Sequence, residues 1–193
     1  KRQENDPYVK RARIEGWRSR AVFKLSEIME KDKFLKPSMT CVDLGASPGG
    51  WSQYISSALN GNVKIIAVDL IPMDELPSVK FICGDFTKKE VLNFINESVG
   101  KSGIDLVISD MAPNITGMKA VDQPRSMWLA ENAFNFACSN LVLGGDFICK
   151  VFQGQGTDQY INLARKCFSK VKMIKPCASR SKSSEMYVVA RNF

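Results

Sequence analysis

The stretch Val42-Asp43-Leu44-Gly45-Ala46-Ser47-Pro48-Gly49-Gly50-Trp51-Ser52 carries three glycines between an apolar run and an amphipathic one. Glycines at a strand-to-helix turn let the backbone approach a ligand closely, and the helix start offers amides with no acceptor of their own. A nucleotide-like cofactor suits that chemistry. Gly45, Gly49 and Gly50 lack the G-x-G-x-x-G spacing, which argues against a nicotinamide dinucleotide and so against a dehydrogenase. Asp69 closes the next apolar run, where an acid can accept hydrogen bonds from ribose hydroxyls. Asp85 and Phe86 follow the third run, where they read either as a carboxylate for an adenine amino group beside a ring for the base face or as a surface acid in a turn. Asp110 ends the fourth run, and Lys150 interrupts the apolar segment Phe147–Phe152 at the same expected sheet edge. A lysine there reads as a functional amine more readily than as a snorkelling surface residue.

Elements that place these residues are legible in the apolar pattern. Strands are predicted over Cys41–Leu44, Lys64–Val68, Lys80–Cys83, Ile104–Ser109, Gly145–Val151, Val171–Ile174 and Glu185–Ala190. Helices are predicted over Ala21–Lys31, Gly49–Leu59, Lys88–Val99, Pro124–Leu143 and Asp158–Phe168, the fourth starting at Asp122 and Pro124 and stopped by Gly144-Gly145. The alternation predicts an α/β, Rossmann-like fold: a seven-stranded, mostly parallel sheet with helices on both faces. The stretch Lys175–Ser184 is too short for a helical crossover, so the last two strands should pair antiparallel.

The 193 residues suit one domain, with residues 1–20 as a basic extension. The net charge of +7 is uneven: residues 1–36 carry +5, residues 165–193 carry +7 and the middle carries −5. Basic ends around an acidic centre fit a polyanionic partner such as RNA. With no histidine and no Cys-x-x-Cys pair, a zinc site is not expected. Most of the six cysteines lie in apolar runs, as free thiols do in a reducing, intracellular compartment, which could be cytoplasmic, mitochondrial or nuclear. No apolar run approaches the roughly 18 residues of a membrane span, and a monomer away from membranes is expected.

Ser19-Arg20-Ala21-Val22-Phe23-Lys24-Leu25, Asp43 to Gln53, Ser109-Asp110-Met111-Ala112-Pro113-Asn114, Lys150-Val151-Phe152-Gln153-Gly154 and Ser179 to Tyr187 complete the motif set. Over nearly the whole chain these resemble the FtsJ/RrmJ family of ribosomal RNA 2′-O-methyltransferases. The resemblance implies transfer of a methyl group from S-adenosylmethionine, leaving S-adenosylhomocysteine, to a ribose 2′-hydroxyl, here of a uridine in large-subunit ribosomal RNA. It implies a catalytic tetrad of Lys24, Asp110, Lys150 and Glu185. It places Gly45, Gly49, Gly50, Trp51, Asp69, Asp85, Phe86 and Asp110 around the cofactor, with no metal required. Arg20 and Arg180 belong to the family motifs; Arg18 and Lys182, with Lys10, Arg11 and Arg13 ranked lower, join them as expected RNA contacts. Ser47 departs from the alanine common in the family.

A ribose hydroxyl is a weak nucleophile that must be oriented and relieved of its proton as the methyl group moves. Lys150 is either the base or a fixed charge that positions the hydroxyl. In-line placement contributes up to about 7–11 kcal/mol, more than the roughly 10²- to 10⁴-fold typical of a base. Amino-group methylation wants an aromatic residue after the proline in Asp110-Met111-Ala112-Pro113, and carbon methylation wants a cysteine in that loop; neither is there. Transfer RNA or the messenger RNA cap as substrate, and a non-catalytic ribosome-assembly factor, stay open at this level.

Overall fold

The computed structural model describes residues 6–193; residues 1–5 of the expected basic extension lie outside the described residues. Seven strands, β1 (Thr40–Leu44), β2 (Lys64–Asp69), β3 (Val79–Cys83), β4 (Ile104–Ser109), β5 (Leu141–Phe152), β6 (Lys170–Ile174) and β7 (Glu185–Arg191), form one sheet in the order β3-β2-β1-β4-β5-β7-β6. All neighbours are parallel except β7, which slots antiparallel between β5 and β6. The order reverses beside β1, so the carboxyl ends of β1 and β4 flank a crevice.

Side-chain alternation assigns each face its helices. Cys41, Ile65, Leu106, Ile108, Ile148, Tyr187 and Val189 meet Leu25, Ile28 and Met29 of α2 (Val22–Lys31) and Trp51 and Ile55 of α3 (Gly50–Ala58). Their neighbours Val42, Ile66, Val107, Phe147, Cys149 and Val188 face the other way. There they pack on α4 (Lys89–Val99), α5 (Lys119–Asn140) and α6 (Thr157–Cys167). Each of the larger apolar side chains removed from water on these faces stabilises the fold by roughly 1.5–3 kcal/mol.

Three boundaries differ from expectation. The short α1 (Pro7–Ile14) precedes α2, capped by the Asp6 carboxylate on the Tyr8 amide, within the segment read only as a basic extension. Its apolar positions make too weak a stripe to stand out from the charge. Helix α5 starts five residues before Pro124, because Asp122 accepts the amides of Thr116 and Gly117 and so secures the turn ahead of the proline. At its other end the chain passes directly into β5 at Leu141, so Gly144-Gly145 lies inside a strand, beside an irregularity in the β4–β5 register between Ile104 and Leu106. All six cysteines are free; Cys41 and Cys149 are buried, Cys138 and Cys167 half-buried, and Cys83 and Cys177 exposed. No described helix is long and apolar enough to cross a membrane.

Candidate active site

Ile108 and Ile148 lie on the face covered by α2 and α3, and Asp110 and Lys150, each two residues on, project to the same side. Parallel pairing of Ser109 with Cys149 sets the two side by side. Antiparallel pairing puts Tyr187 opposite Lys150 and Glu185 opposite Phe152. Lys24 comes down onto this face from α2. The four expected residues thus converge, as two ion pairs. Lys150 Nζ lies 3.2 Å from Asp110 Oδ1 and donates to the Asp110 carbonyl oxygen at 2.5 Å. Lys24 Nζ lies 2.8 Å from each oxygen of the Glu185 carboxylate.

Tyr187 joins the pairs. Its hydroxyl donates to Asp110 Oδ1 at 2.6 Å, while the Lys24 ammonium stands 5.8 Å from its ring centre. Burial, with the Asp110 and Glu185 charges, pushes its phenol far above the ordinary range, so it remains a donor. Tyr187 closes the last sequence motif, two positions beyond Glu185 on the same strand face, a spacing that signals its location but not its role.

The Glu185 end is latched by neighbours that spacing alone does not reveal. Ser179 Oγ donates to Glu185 Oε1 at 2.8 Å. Glu27 of α2 accepts the amides of Cys177 and Ala178 at 2.6 and 2.9 Å, and Arg20 donates to the Ala178 carbonyl and to the Asp6 carboxylate. Arg20 therefore ties α1 to the β6–β7 loop. Arg18 is likewise engaged, donating to the carbonyls of Pro48, Asp74 and Glu75. Arg180 and Lys182 are exposed.

The glycine turn connects β1 to α3. Gly45 has φ +77°, and a Cβ there would sit 2.3 Å from Met111 Cγ, so only glycine lets the loop after Asp110 close on the turn. Gly49, at φ +99°, precedes α3, and Gly50 packs under Ser19. A cavity of about 400 Å³, lined by Arg18, Ser47, Pro48, Pro72, Met73 and Asp74, borders the turn. Asp69 accepts the amides of Ser47 and Ile71, each oxygen keeping a lone pair. Asp85 engages Thr87 through Oδ1, and among the described residues no donor reaches its Oδ2.

Two of the expected cofactor residues turn their rings into the protein. Trp51 is 3% exposed: its indole donates to the Ala21 carbonyl and its ring packs on Tyr187, leaving only its backbone amide for a ligand. Phe86 is buried edge-on to Phe136 and belongs to the core. The apolar side chains exposed at this rim are instead Leu70 and Ile71, directly after Asp69.

Asp43 lies beneath the turn, fully buried, accepting from Ser52 Oγ at 2.7 Å. Burial, opposed by that hydrogen bond and reinforced by Asp110 and Asp69, raises its carboxyl to about 7. Asp69 and Asp110, close enough to the turn to act on Asp43, form an acidic setting that favours a cationic ligand. Among the described residues no group of three or more His, Cys, Asp or Glu is placed to hold a metal ion.

The family model described as FtsJ-like methyltransferase matches residues 17–193. A curated relative from Dichelobacter nodosus, Ribosomal RNA large subunit methyltransferase E, is 54% identical over 194 residues, covering 100% of this chain and 92% of its own length. The protein of the same name from Pseudomonas paraeruginosa is 53% identical over 189 residues, covering 98% and 91%. Among solved structures, a Plasmodium falciparum protein described as a ribosomal RNA methyltransferase superposes with a TM-score of 0.83 at 32% identity, over 92% of this chain and 98% of its own.

Proposed function

The chain belongs to the FtsJ-like methyltransferase family, and we propose that it methylates the ribose 2′-hydroxyl of a uridine in large-subunit ribosomal RNA, using S-adenosylmethionine. One observation carries the chemistry: two lysine–carboxylate pairs, joined through Tyr187, lie on one sheet face at the carboxyl ends of β4 and β5, next to the glycine turn.

The residues at that turn fit the cofactor. Asp69 and Asp85 retain acceptor capacity for a ribose and an adenine amino group, the α3 amides suit a carboxylate, and the acidic surroundings suit a sulfonium. When bound, S-adenosylmethionine supplies an electrophilic methyl group. Asp110 and Lys150 would hold the acceptor hydroxyl, the carboxylate accepting its hydrogen bond and then its proton as the methyl–oxygen bond forms and the methyl–sulfur bond breaks, the ammonium stabilising the oxygen as negative charge develops there. Lys24 and Glu185 brace this arrangement through the Tyr187 ring and complete a site of balanced charge. Ribosomal RNA, alone or in a subunit, is the proposed partner of a monomeric enzyme, with the basic termini supplying phosphate contacts.

The test is incorporation of a labelled methyl group into unmodified large-subunit RNA, offered both free and assembled into subunits, followed by nucleoside analysis. Label in 2′-O-methyluridine is expected; label on a base, or none in RNA, would overturn the reading.

A further inference from the structure

A second cavity, of about 510 Å³, opens between α1 and the β6–β7 loop. Its lining includes Arg13, Trp17, Arg18, Arg20 and Arg180, an unusual density of guanidinium groups beside an indole. Among the described residues one carboxylate, Asp6, reaches any of these four arginines: it pairs with Arg20 and lies 3.8 Å from Arg180. Arg13 has no acidic partner among the described residues, and Arg180 is exposed, so both can meet an incoming anion. Arg18 and Arg20 are held by carbonyls and by Asp6. They shape the walls and add to the positive field without leaving their partners. Trp17 is kept in place by Tyr54, at 6.2 Å between ring centres, and by the bond from its indole to Glu15.

The cavity has two boundaries that relate it to the reaction. Arg18 also lines the cavity at the glycine turn. Arg20 bonds Ala178, whose neighbour Ser179 holds Glu185, while Lys24 follows one helical turn after Arg20. The pocket thus abuts the Lys24–Glu185 end of the tetrad. Guanidinium groups meet a phosphodiester with fork geometry, and an indole offers a stacking surface to any base. An acceptor uridine placed at Asp110 and Lys150 would leave the adjoining nucleotides of the same strand close to this opening.

We propose that this cavity receives a nucleotide flanking the methylated one, its base unstacked onto Trp17 and its phosphate held by Arg13 and Arg180. The inference rests on the methyltransferase reading above and deepens it: the substrate must be single-stranded, or opened, on the flank that enters the pocket.

Methylation kinetics on RNA fragments carrying one abasic residue at each of the two positions either side of the target test this. In the wild-type protein one abasic position should raise KM roughly 5- to 100-fold, the span expected for a lost base–aromatic stack, with kcat unchanged. Trp17→Leu should raise KM similarly on intact RNA and make that abasic position silent, whereas Trp17→Phe should retain most of the affinity. Arg13→Gln with Arg180→Gln should lower the salt slope of RNA binding by about 0.7 for each phosphate contact removed. Abasic RNAs all methylated with the KM of intact RNA, or abasic and Trp17→Leu effects that multiply, would overturn the pocket. The abasic series on wild-type protein decides the matter even if a variant fails to fold. Absence of methylation on intact RNA, both free and assembled into large subunits, would instead sink the underlying reading.

Discussion

Tyr187 donates its hydroxyl proton to the same oxygen of Asp110, Oδ1, that the Lys150 ammonium approaches, at 2.6 and 3.2 Å respectively. Among the described residues no donor reaches Oδ2, which leaves it for a substrate hydroxyl. Tyr187→Phe keeps the buried ring and deletes one hydrogen bond to a charged group, a loss of about 1.5–3 kcal/mol. Denaturant unfolding should show that modest loss, with turnover reduced and S-adenosylmethionine affinity little changed; wild-type turnover would mean that the bond does not orient the carboxylate.

Lys150→Ala should lower single-turnover methylation by about 10²-fold or more, the scale of a lost general base or charge stabiliser, while cofactor affinity measured by calorimetry holds. Near-wild-type rates would remove Lys150 from the chemistry. Asp110→Ala should damage both binding and rate, because Asp110 lies between the glycine turn and Lys150 and its charge also bears on Asp43.

The Lys24–Glu185 pair is nearly buried, with side chains 12% and 11% exposed. Removing one partner strands the other, so Lys24→Met or Glu185→Gln alone should cost about 3 kcal/mol. The double variant should recover part of that stability yet stay inactive. Additive stability losses, or restored turnover in the double variant, would separate this pair from the roles assigned to it.

Asp43 makes stability depend on pH in a direction opposite to most carboxylates. Its ordinary value is 3.8 and burial raises it to about 7. Between those values the unfolded chain has lost the proton while the folded protein keeps it. The contribution is therefore fully present below about pH 4, declines as pH rises and is gone above about pH 7, a swing on the order of 4 kcal/mol. Asp43→Asn should flatten that slope when unfolding is followed from pH 4 to 8. An unchanged slope would place the titration elsewhere. Binding of a cationic cofactor near pH 7 should likewise release a proton, read as a buffer-dependent enthalpy.

Most of the sheet was legible because each strand is a short apolar run whose alternate residues serve opposite faces, as Cys41 and Val42 do. The charged tetrad residues were recognisable from motif context, and their common face follows from a period of two. Less visible were contacts made by groups with many partners available. Arg18 and Arg20 look like RNA contacts in a basic segment, but carbonyl oxygens and Asp6 from distant parts of the chain claim them. Trp51 and Phe86 sit in cofactor motifs, yet their rings fill the core, because an aromatic next to a turn can face either way and only packing decides.

Lys24 and Glu185 are 161 positions apart, and the latches Arg20–Ala178 and Glu27–Ala178 span 158 and 151. During synthesis the turn that would hold the methyl donor emerges early, long before its carboxylate partner for Lys24 exists. A nascent chain that has reached β5 carries Lys150 and Asp110 but lacks Tyr187 and Glu185, so neither ion pair of the site has its full set of neighbours. Insertion of β7 between β5 and β6 is thus the step that brings Tyr187 to Asp110 and Glu185 to Lys24, although its pairing with β5 joins nearer parts of the chain than that of β1 with β4.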